Sequence, residues 1–524
     1  MKKQGLSFII LIIITLHVSG QYFVDIEADL TQVMHCDGSW FDKDDDGDLD
    51  LLLTGEFLYS GQPVTSSKLY NNFNRDRIFK YFRSSVPNIA YSGTTTGDFD
   101  NDGDMDFVIT GRTKEKKPVS MLFRNNRNNQ FSYVKTNILN LFNGDVQFGD
   151  FDRNGNLDVA ICGADASGQL HTLIYSGNGK GNFSRVPADI TGIQNGEVDW
   201  GDYDNDGDLD LLITGENHVK KAVTEIYRNE NGTFVRQLFN LEGYKYSAAD
   251  WGDYDNDGDL DFVITGQKNS NVITLRIYNN MQLTRFISIP LNLPGTRTGS
   301  VDWGDYDCDG DLDILITGES SNGKILSTVY RNDRNGNFTV INAGLTNVYL
   351  SDAEWGDYDN DGDLDLFLAG LSPDVKPIAK IYRNERIKPE DTASTGARRN
   401  QEIFTAKNIW ISYNAKRPPD RPYYYFMTSS CFCRPDSTYD KKDYHMFISE
   451  VFQFDPPFYH QEQYFNNIIK KHSLWGSIKG GHPSEGYLTK KEAIEGRKKF
   501  LRHYNRYNYQ IHFVPWENHP NSKK

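Results

Sequence analysis

One short pattern recurs along this chain at a nearly constant interval, and it leaves few folds open. Aspartate-rich loops begin at Asp42, Asp98, Asp150, Asp202, Asp253, Asp305 and Asp357, at spacings of 56, 52, 52, 51, 52 and 52 residues. A fixed period of this kind marks a repeat architecture, in which one supersecondary unit is copied along the chain. The fourth copy is complete. Val198-Asp199-Trp200-Gly201 leads into Asp202 to Asp210, and Leu211-Leu212-Ile213-Thr214-Gly215 follows. After a polar stretch come Thr224 to Asn229, and then Asn231-Gly232 before Phe234. The aliphatic run that stops at glycine reads as a strand, and Glu225-Ile226-Tyr227 as the next. Asn231-Gly232 is a hairpin signal, since both residues tolerate positive φ. Phe234 to Leu241 is the expected fourth strand. Four strands in about fifty residues make one propeller blade, and closing the ring protects most sheet edges. Seven loops predict an all-β, seven-bladed β-propeller over residues 21–387.

Closure is legible too. The last unit ends after Ile381-Tyr382-Arg383-Asn384, where Lys388-Pro389-Glu390-Asp391 soon follows instead of a fourth strand. Tyr22-Phe23-Val24-Asp25-Ile26 precedes the first loop by about the distance at which a fourth strand precedes the next loop. Phe23 then stands where Phe234 and Phe338 stand, and the N-terminal strand completes the seventh blade.

The loop reads Asp-x-Asp-x-Asp-Gly-x-x-Asp, with a further Asp at position 7 in most copies. Carboxylates so close repel one another unless a cation sits among them. Calcium, which takes six to eight oxygens in flexible geometry, is the expected ion, about seven in all. The candidate ligands are Asp42, Asp44, Asp46, Asp48 and Asp50 in the first loop, and Asp98, Asp100, Asp102, Asp104 and Asp106 in the second. The third offers Asp150, Asp152, Asn154, Asn156 and Asp158, and the fourth Asp202, Asp204, Asp206, Asp208 and Asp210. Asp253, Asp255, Asp257, Asp259 and Asp261 form the fifth set, and Asp305, Asp307, Asp309, Asp311 and Asp313 the sixth. Asp357, Asp359, Asp361, Asp363 and Asp365 form the seventh. In the fourth loop, Asp202, Asp204 and Asp206 supply side-chain oxygens, Asp208 its backbone carbonyl, and Asp210 closes the shell. Gly207 permits the reversal of the chain. Position 12 is Ile213 rather than Glu and the flanks are strands, which excludes an EF-hand. The two amides of the third loop lower its charge and predict the weakest binding. Such an ion serves mainly to hold the blade together.

These repeats resemble the FG-GAP, or VCBS-type, family of β-propellers, which includes the integrin α-subunit head and many secreted bacterial proteins. The resemblance spans about Gln21 to Arg386. It implies a seven-bladed ring with calcium loops on one face and a role in extracellular recognition or cell adhesion. The Phe-Gly dipeptide occurs once, as Phe148-Gly149, and is Trp-Gly in the last four repeats. Thr-Gly, as at Thr214-Gly215, replaces the Gly-Ala-Pro element. No integrin-like partner domain follows, so the propeller architecture carries over and an integrin assignment does not.

Trp40, Trp200, Trp251, Trp303 and Trp355 lie just before their loops. Their fixed place favours contact between blades over a sugar-stacking ring. Cys308 replaces Asn at a non-ligand position of the sixth loop, and Cys162 reads as a small core residue. The repeats look nearly uniform, with no blade gathering extra His, Lys or Arg at one spot.

The 524 residues carry 56 Lys+Arg and 72 Asp+Glu, a net charge of −16 that argues against a general nucleic-acid binder. From Lys388 to Lys524 there are 22 basic and 14 acidic residues, a net +8, which leaves −24 on the rest. Lys2 and Lys3, the apolar run Leu6 to Leu16 and the small residues Val18-Ser19-Gly20 read as a cleavable signal peptide over residues 1–20, with an uncleaved anchor as the alternative. No other stretch is apolar enough to span a bilayer. The expected location is therefore outside the cell, secreted or at its surface, or periplasmic in a bacterial host. Residues 388–401 read as a linker and 402–524 as a small α+β domain. Its expected strands are Ile409 to Tyr413, Tyr423 to Ser429, His445 to Phe454 and Tyr509 to Val514. Its expected helices are Gln461 to Lys471 and Thr489 to Tyr507. Cys431, Cys433 and His445 match no standard zinc spacing. Taken together, the chain reads as an extracellular recognition module for a protein or glycan. The alternatives are a polysaccharide-acting enzyme and a scaffold that displays the C-terminal domain.

Overall fold

The computed structural model describes residues 23–385, except 74–77, 127–129, 282, 284 and 335, together with short strand segments beyond Glu385. Each repeat folds into antiparallel strands taken in chain order. In the fourth these are Ile193–Gly201, Asp210–Asn217, Ala222–Glu230 and Thr233–Arg236. The last turn is the two-residue hairpin expected from Asn-Gly. Asn231 and Gly232 take φ of 53° and 87°, and Glu230 faces Thr233. The fourth strand is shorter than the sequence pattern suggests, ending at Arg236 rather than Leu241. The chain must then cross to the next repeat, where Glu242 N donates to Tyr278 Oη at 3.0 Å.

The N-terminal strand Phe23–Asp25 pairs with the seventh repeat's third strand, Pro377–Asn384, setting Phe23 opposite Asn384 and Asp25 opposite Tyr382. Phe23 is fully buried, with ring centroids 5.9 Å from Tyr306 and 5.8 Å from Trp355. Phe234 sits the same way against Phe151 and Trp200. The first and last described segments of the ring are thus joined in one sheet.

The innermost strands are Met34–Phe41, Ala90–Gly97, Val146–Gly149, Ile193–Gly201, Tyr244–Gly252, Val301–Gly304 and Tyr349–Gly356. They contact one another in that succession, and the last contacts the first. Apolar clusters fill the space between adjacent sheets. One joins Leu51 and Leu53 to Tyr358 and Phe367, and another joins Ile161, Leu173 and Tyr175 to Val108 and Leu122. Full burial of such side chains stabilises by about 1.5–3 kcal/mol each. This is an all-β propeller, its sheets set edge-inward around a channel.

The innermost strands, or the residues just before them, also share an irregularity. His35, Tyr91, Asn143, Asn195, Tyr246, Thr298 and Leu350 all take left-handed backbone, with φ of 46–60°. Neighbours among them are linked: Asn195 N donates to Asn143 O at 2.9 Å, and Thr298 N to Tyr246 O at 3.0 Å. A strained collar of this kind costs about 1–3 kcal/mol at each non-glycine residue.

Beyond Glu385, Met427–Cys431 pairs antiparallel with Tyr444–Ser449, which runs parallel to Tyr509–Val514. Tyr423–Tyr425 pairs with Phe452–Phe454. The register sets Cys431 opposite His445. The signal segment, the linker, Cys433, the strand expected at 409–413 and both expected helices lie outside the described residues.

Candidate metal loops and central channel

Each acidic loop joins the first and second strands of its repeat and is folded by its own carboxylates. In the fourth loop, Asp206 N and Gly207 N donate to the two oxygens of Asp202 at 3.0 and 2.9 Å. Asp208 N donates to Asp206 Oδ1 at 3.0 Å. Asp210 lies at the base, fully buried, and accepts Tyr203 N at 3.2 Å and Asn229 N at 2.8 Å. The position-1 contacts recur at Asp42, Asp98, Asp150, Asp253 and Asp305. The glycine at position 6 is left-handed in every loop, which is why the reversal needs it.

Position 9 is the deepest carboxyl. Burial pushes it up to about 8 in Asp106, Asp158, Asp210 and Asp261, and to about 10 in Asp365, with the neighbouring acids adding to the effect. Carboxylate oxygens from Asp42, Asp44 and Asp50 lie within 4.8 Å of one another, as do those of Asp98, Asp100 and Asp106. Asp150, Asp152 and Asp158 form a third such group, and Asp202, Asp204 and Asp206 a fourth. Asp204 Oδ2 pairs with Arg228 at 2.7 Å, and Asp100 Oδ2 with Arg124 at 2.6 Å. The other oxygen of each is buried with no partner, as are Asp259 Oδ1 and Asp363 Oδ1. A buried carboxylate oxygen without a donor is costly. An all-oxygen set with orphaned anionic atoms suits a hard divalent cation.

In the first and fourth loops the position-7 side chain faces a neighbouring loop, whereas Asp259 and Asp363 stay among the acids of their own loops. Asp208 Oδ1 pairs with Arg153 of the preceding loop at 2.6 Å, and Asp48 Oδ1 accepts Asn360 Nδ2 at 3.2 Å.

Two contacts join neighbouring loops that the sequence pattern did not single out. Asn229 Nδ2 donates to Leu209 O of its own loop and to Phe151 O of the previous one, at 3.1 and 2.8 Å. Asn72, Asn125, Asn280, Asn332 and Asn384 do the same. Their fixed place after Tyr-Arg or its equivalent was the available signal. The position-4 residue, left-handed in each loop, reaches forward. Asn205 Nδ2 donates to Gly258 O at 3.0 Å, and Asn256 Nδ2 to Gly310 O and Asp311 Oδ1, both at 3.1 Å. Cys308 keeps this link in weaker form, its Sγ 3.7 Å from Gly362 O.

The tryptophans lie between repeats. Trp251 stacks on Tyr203, Trp303 on Tyr254, Trp355 on Tyr306 and Trp40 on Tyr358, at 6.3–6.5 Å between ring centroids. Each indole covers the glycine that precedes the stacked tyrosine's loop: a Cβ on Gly201 would meet Trp251 at 2.8 Å. The Trp-Gly pair is thus a joint in which one repeat's glycine makes room for the next repeat's tryptophan.

The apparent uniformity of the repeats does not hold at the channel. Asp37, Asp145, Glu197, Asp199, Asp250, Asp302, Asp352 and Glu354 line one cavity of about 720 Å³. They sit at alternate positions of the innermost strands, so only ring closure gathers them. Burial is the main cause that raises all eight, Asp145, Asp250 and Asp352 to about 6. They have structural partners in the next repeat. Asp250 Oδ2 accepts Trp303 N at 2.9 Å, Glu197 Oε2 accepts Ala249 N at 2.8 Å, and Asp352 Oδ2 accepts Gly38 N at 2.9 Å. An innermost strand has no further strand to pair with, and these carboxyls satisfy its open edge. At one mouth, His35 stacks on Tyr91 at 4.0 Å and Arg112 covers Tyr91 at 3.7 Å. His35 Nδ1 lies 2.8 Å from Glu56 Oε1.

The family described as FG-GAP-like repeat matches residues 98–161, 150–213, 253–316 and 309–368. No curated protein sequence matches the chain. Among solved structures, the Dos1 propeller is similar at 8% identity and a TM-score of 0.37, over 69% of this chain and 95% of that one. The V. cholerae biofilm matrix protein Bap1 is similar at 11% identity and a TM-score of 0.31, over 69% and 89%. A thermostable family-43 glycoside hydrolase is similar at 10% and 0.27, over 49% and 94%. The matched spans fall on the loops and strands described above, and residues 98–213 and 253–368 are FG-GAP-like repeats of a β-propeller.

Proposed function

We propose that the chain is an exported, calcium-loaded, seven-bladed propeller that serves as a recognition or adhesion module for an extracellular protein or glycan. The observation that carries this reading is the division of labour between the two ends of the sheets. At one end, acidic loops of one shared pattern are clamped to one another. At the other, the turns between second and third strands differ from repeat to repeat in length and sequence, and several end in exposed apolar residues. Tyr59, Val219, Val272 and Val375 are 49–70% exposed at these turns. Varied loops on a rigid scaffold are where binding specificity resides.

The ions would be held by positions 1, 3, 5 and 9 through side chains and by position 7 through its carbonyl. When bound, calcium supplies charge neutralisation. The chain's own residues fix the loops, exclude water from position 9 and hold adjacent repeats in register. Residues 402–524 are a separate basic domain in this reading.

Screening the secreted protein against glycans and extracellular proteins, with Tyr59→Ser and Val272→Ser as variants, tests the reading. Ligand capture that weakens with these substitutions and with chelation is expected. Binding that is indifferent to both, or that is kept by a fragment starting at residue 402, would reject it. A glycan-acting enzyme is the second reading, favoured by the raised carboxyls of the channel. The backbone N–H groups that those carboxyls accept weigh against it. An Asp250→Asn variant that folds but loses a measured glycan cleavage would reinstate it.

A further inference from the structure

The first loop is built differently from the other six. Position 2 is aromatic in those, namely Phe99, Phe151, Tyr203, Tyr254, Tyr306 and Tyr358, and in the first loop it is Lys43. The exchange follows from the neighbour. In the second repeat, Thr96 stands where other repeats carry Trp or Phe, so no indole arrives to stack on position 2. With no indole to accommodate, the glycine before the loop is replaced as well, by Phe41, which packs on Phe107 and Phe131 of the second repeat.

The lysine's ammonium turns instead to the acids of its own loop. Its side chain is fully buried, and its Nζ lies 2.8 Å from Asp44 Oδ2 and 3.5 Å from Asp50 Oδ2. It also donates to Asn71 Oδ1, and the Phe82 ring lies 5.7 Å away. Asp44 and Asp50 are positions 3 and 9, and with Asp42 their oxygens fall within 4.8 Å of one another. Position 3 also differs in its partner: Asp100 and Asp204 are paired with arginines and keep a buried orphan oxygen, whereas Asp44 is paired with the ammonium.

We propose that the first loop carries its own cation: the Lys43 ammonium stands among the carboxylates that elsewhere await a divalent ion, so this loop folds without calcium and the ring binds at most six. This rests on the calcium reading above. The ammonium already offsets one of the group's negative charges, and a divalent ion would have to displace it from its partners within a buried pocket or share the site against its repulsion.

Calcium stoichiometry of the full-length protein decides the matter, by native mass spectrometry after exchange into calcium. Lys43→Met keeps the bulk of the buried stem, and Lys43→Phe restores the side chain found in the second and third loops. Six or fewer ions in the wild type and one more in either variant is the expected result. The thermal midpoint of Lys43→Met should also be more sensitive to chelator than that of the wild type. Equal counts in wild type and both folded variants, or seven ions in the wild type, would overturn the proposal and leave the calcium reading standing. No ion in any of them would overturn both. If both variants fail to fold, Asp44→Asn decides: an unchanged ion count is expected, and a loss of one ion overturns the proposal.

Discussion

At the scale of single residues, the joints between repeats depend on which neighbour arrives. Gly304 has no room for a side chain, since a Cβ there would meet Trp355 at 2.5 Å. Gly304→Ala is expected to lose about 1–3 kcal/mol through overpacking, read as a lower urea midpoint at an unchanged slope. The carboxyls give a pH dependence of definite sign. Asp145, Asp250 and Asp352 titrate in the native state at about 6, above the ordinary value of 3.8. The native state thus holds more protons than the unfolded one through this window, and stability falls as pH rises from about 4 to 6. The loop carboxyls raised to about 8 extend the fall upward when no ion is present. Chelated protein should therefore melt at a higher temperature at pH 5 than at pH 8. A chelated protein that is more stable at pH 8 would contradict this account of the channel.

At the scale of elements, two devices can be cut separately. The strand Phe23–Asp25 covers the outer edge of the seventh sheet and buries Phe23. Removal of residues 21–30 should expose that edge, lower the melting temperature well beyond an ordinary terminal trim, and promote aggregation. A monomeric truncation with an unchanged midpoint would refute the closure. The links from position 4 suggest that adjacent loops share their order. Asn205→Gly keeps the left-handed backbone and removes the amide that reaches Gly258 O. Its calcium isotherm should become less steep, with an apparent affinity reduced roughly 5-fold or more, as for ordinary coupling energies of 1–3 kcal/mol. The series is interrupted once, because position 4 of the first loop is Asp45, which offers no donor.

At the scale of the whole molecule, the ring depends on charges that its sequence concentrates. With 34 basic and 58 acidic residues before Lys388, this part of the chain repels itself, and bound cations would relieve that repulsion. Each ion bound only by the folded state adds about 2.7 kcal/mol at a concentration one hundred times its dissociation constant. Melting with and without chelator should differ by many degrees, and identical melts would refute the calcium reading. Among the loops, the third, with Asn154 and Asn156, should give up its ion first on dilution.

Local chemistry determined the repeating unit. The period, the hairpin at Asn231-Gly232, the left-handed glycine of each loop and the lack of a fourth-strand pattern soon after Asn384 all act within one unit or at the ends of the repeat array, so they are legible along the sequence. What the tertiary structure decided are the contacts between units. Asp199, Asp250 and Asp302 look like ordinary alternating polar residues of separate strands, and only a closed ring sets them around one channel. Asn229 reads as the end of a strand, yet its amide clamps two loops. Lys43 looks like a tolerated substitution until its neighbour is known. With no tryptophan from the second repeat to lie against, its ammonium turns inward among the carboxylates, because a buried positive charge is stable only beside negative ones.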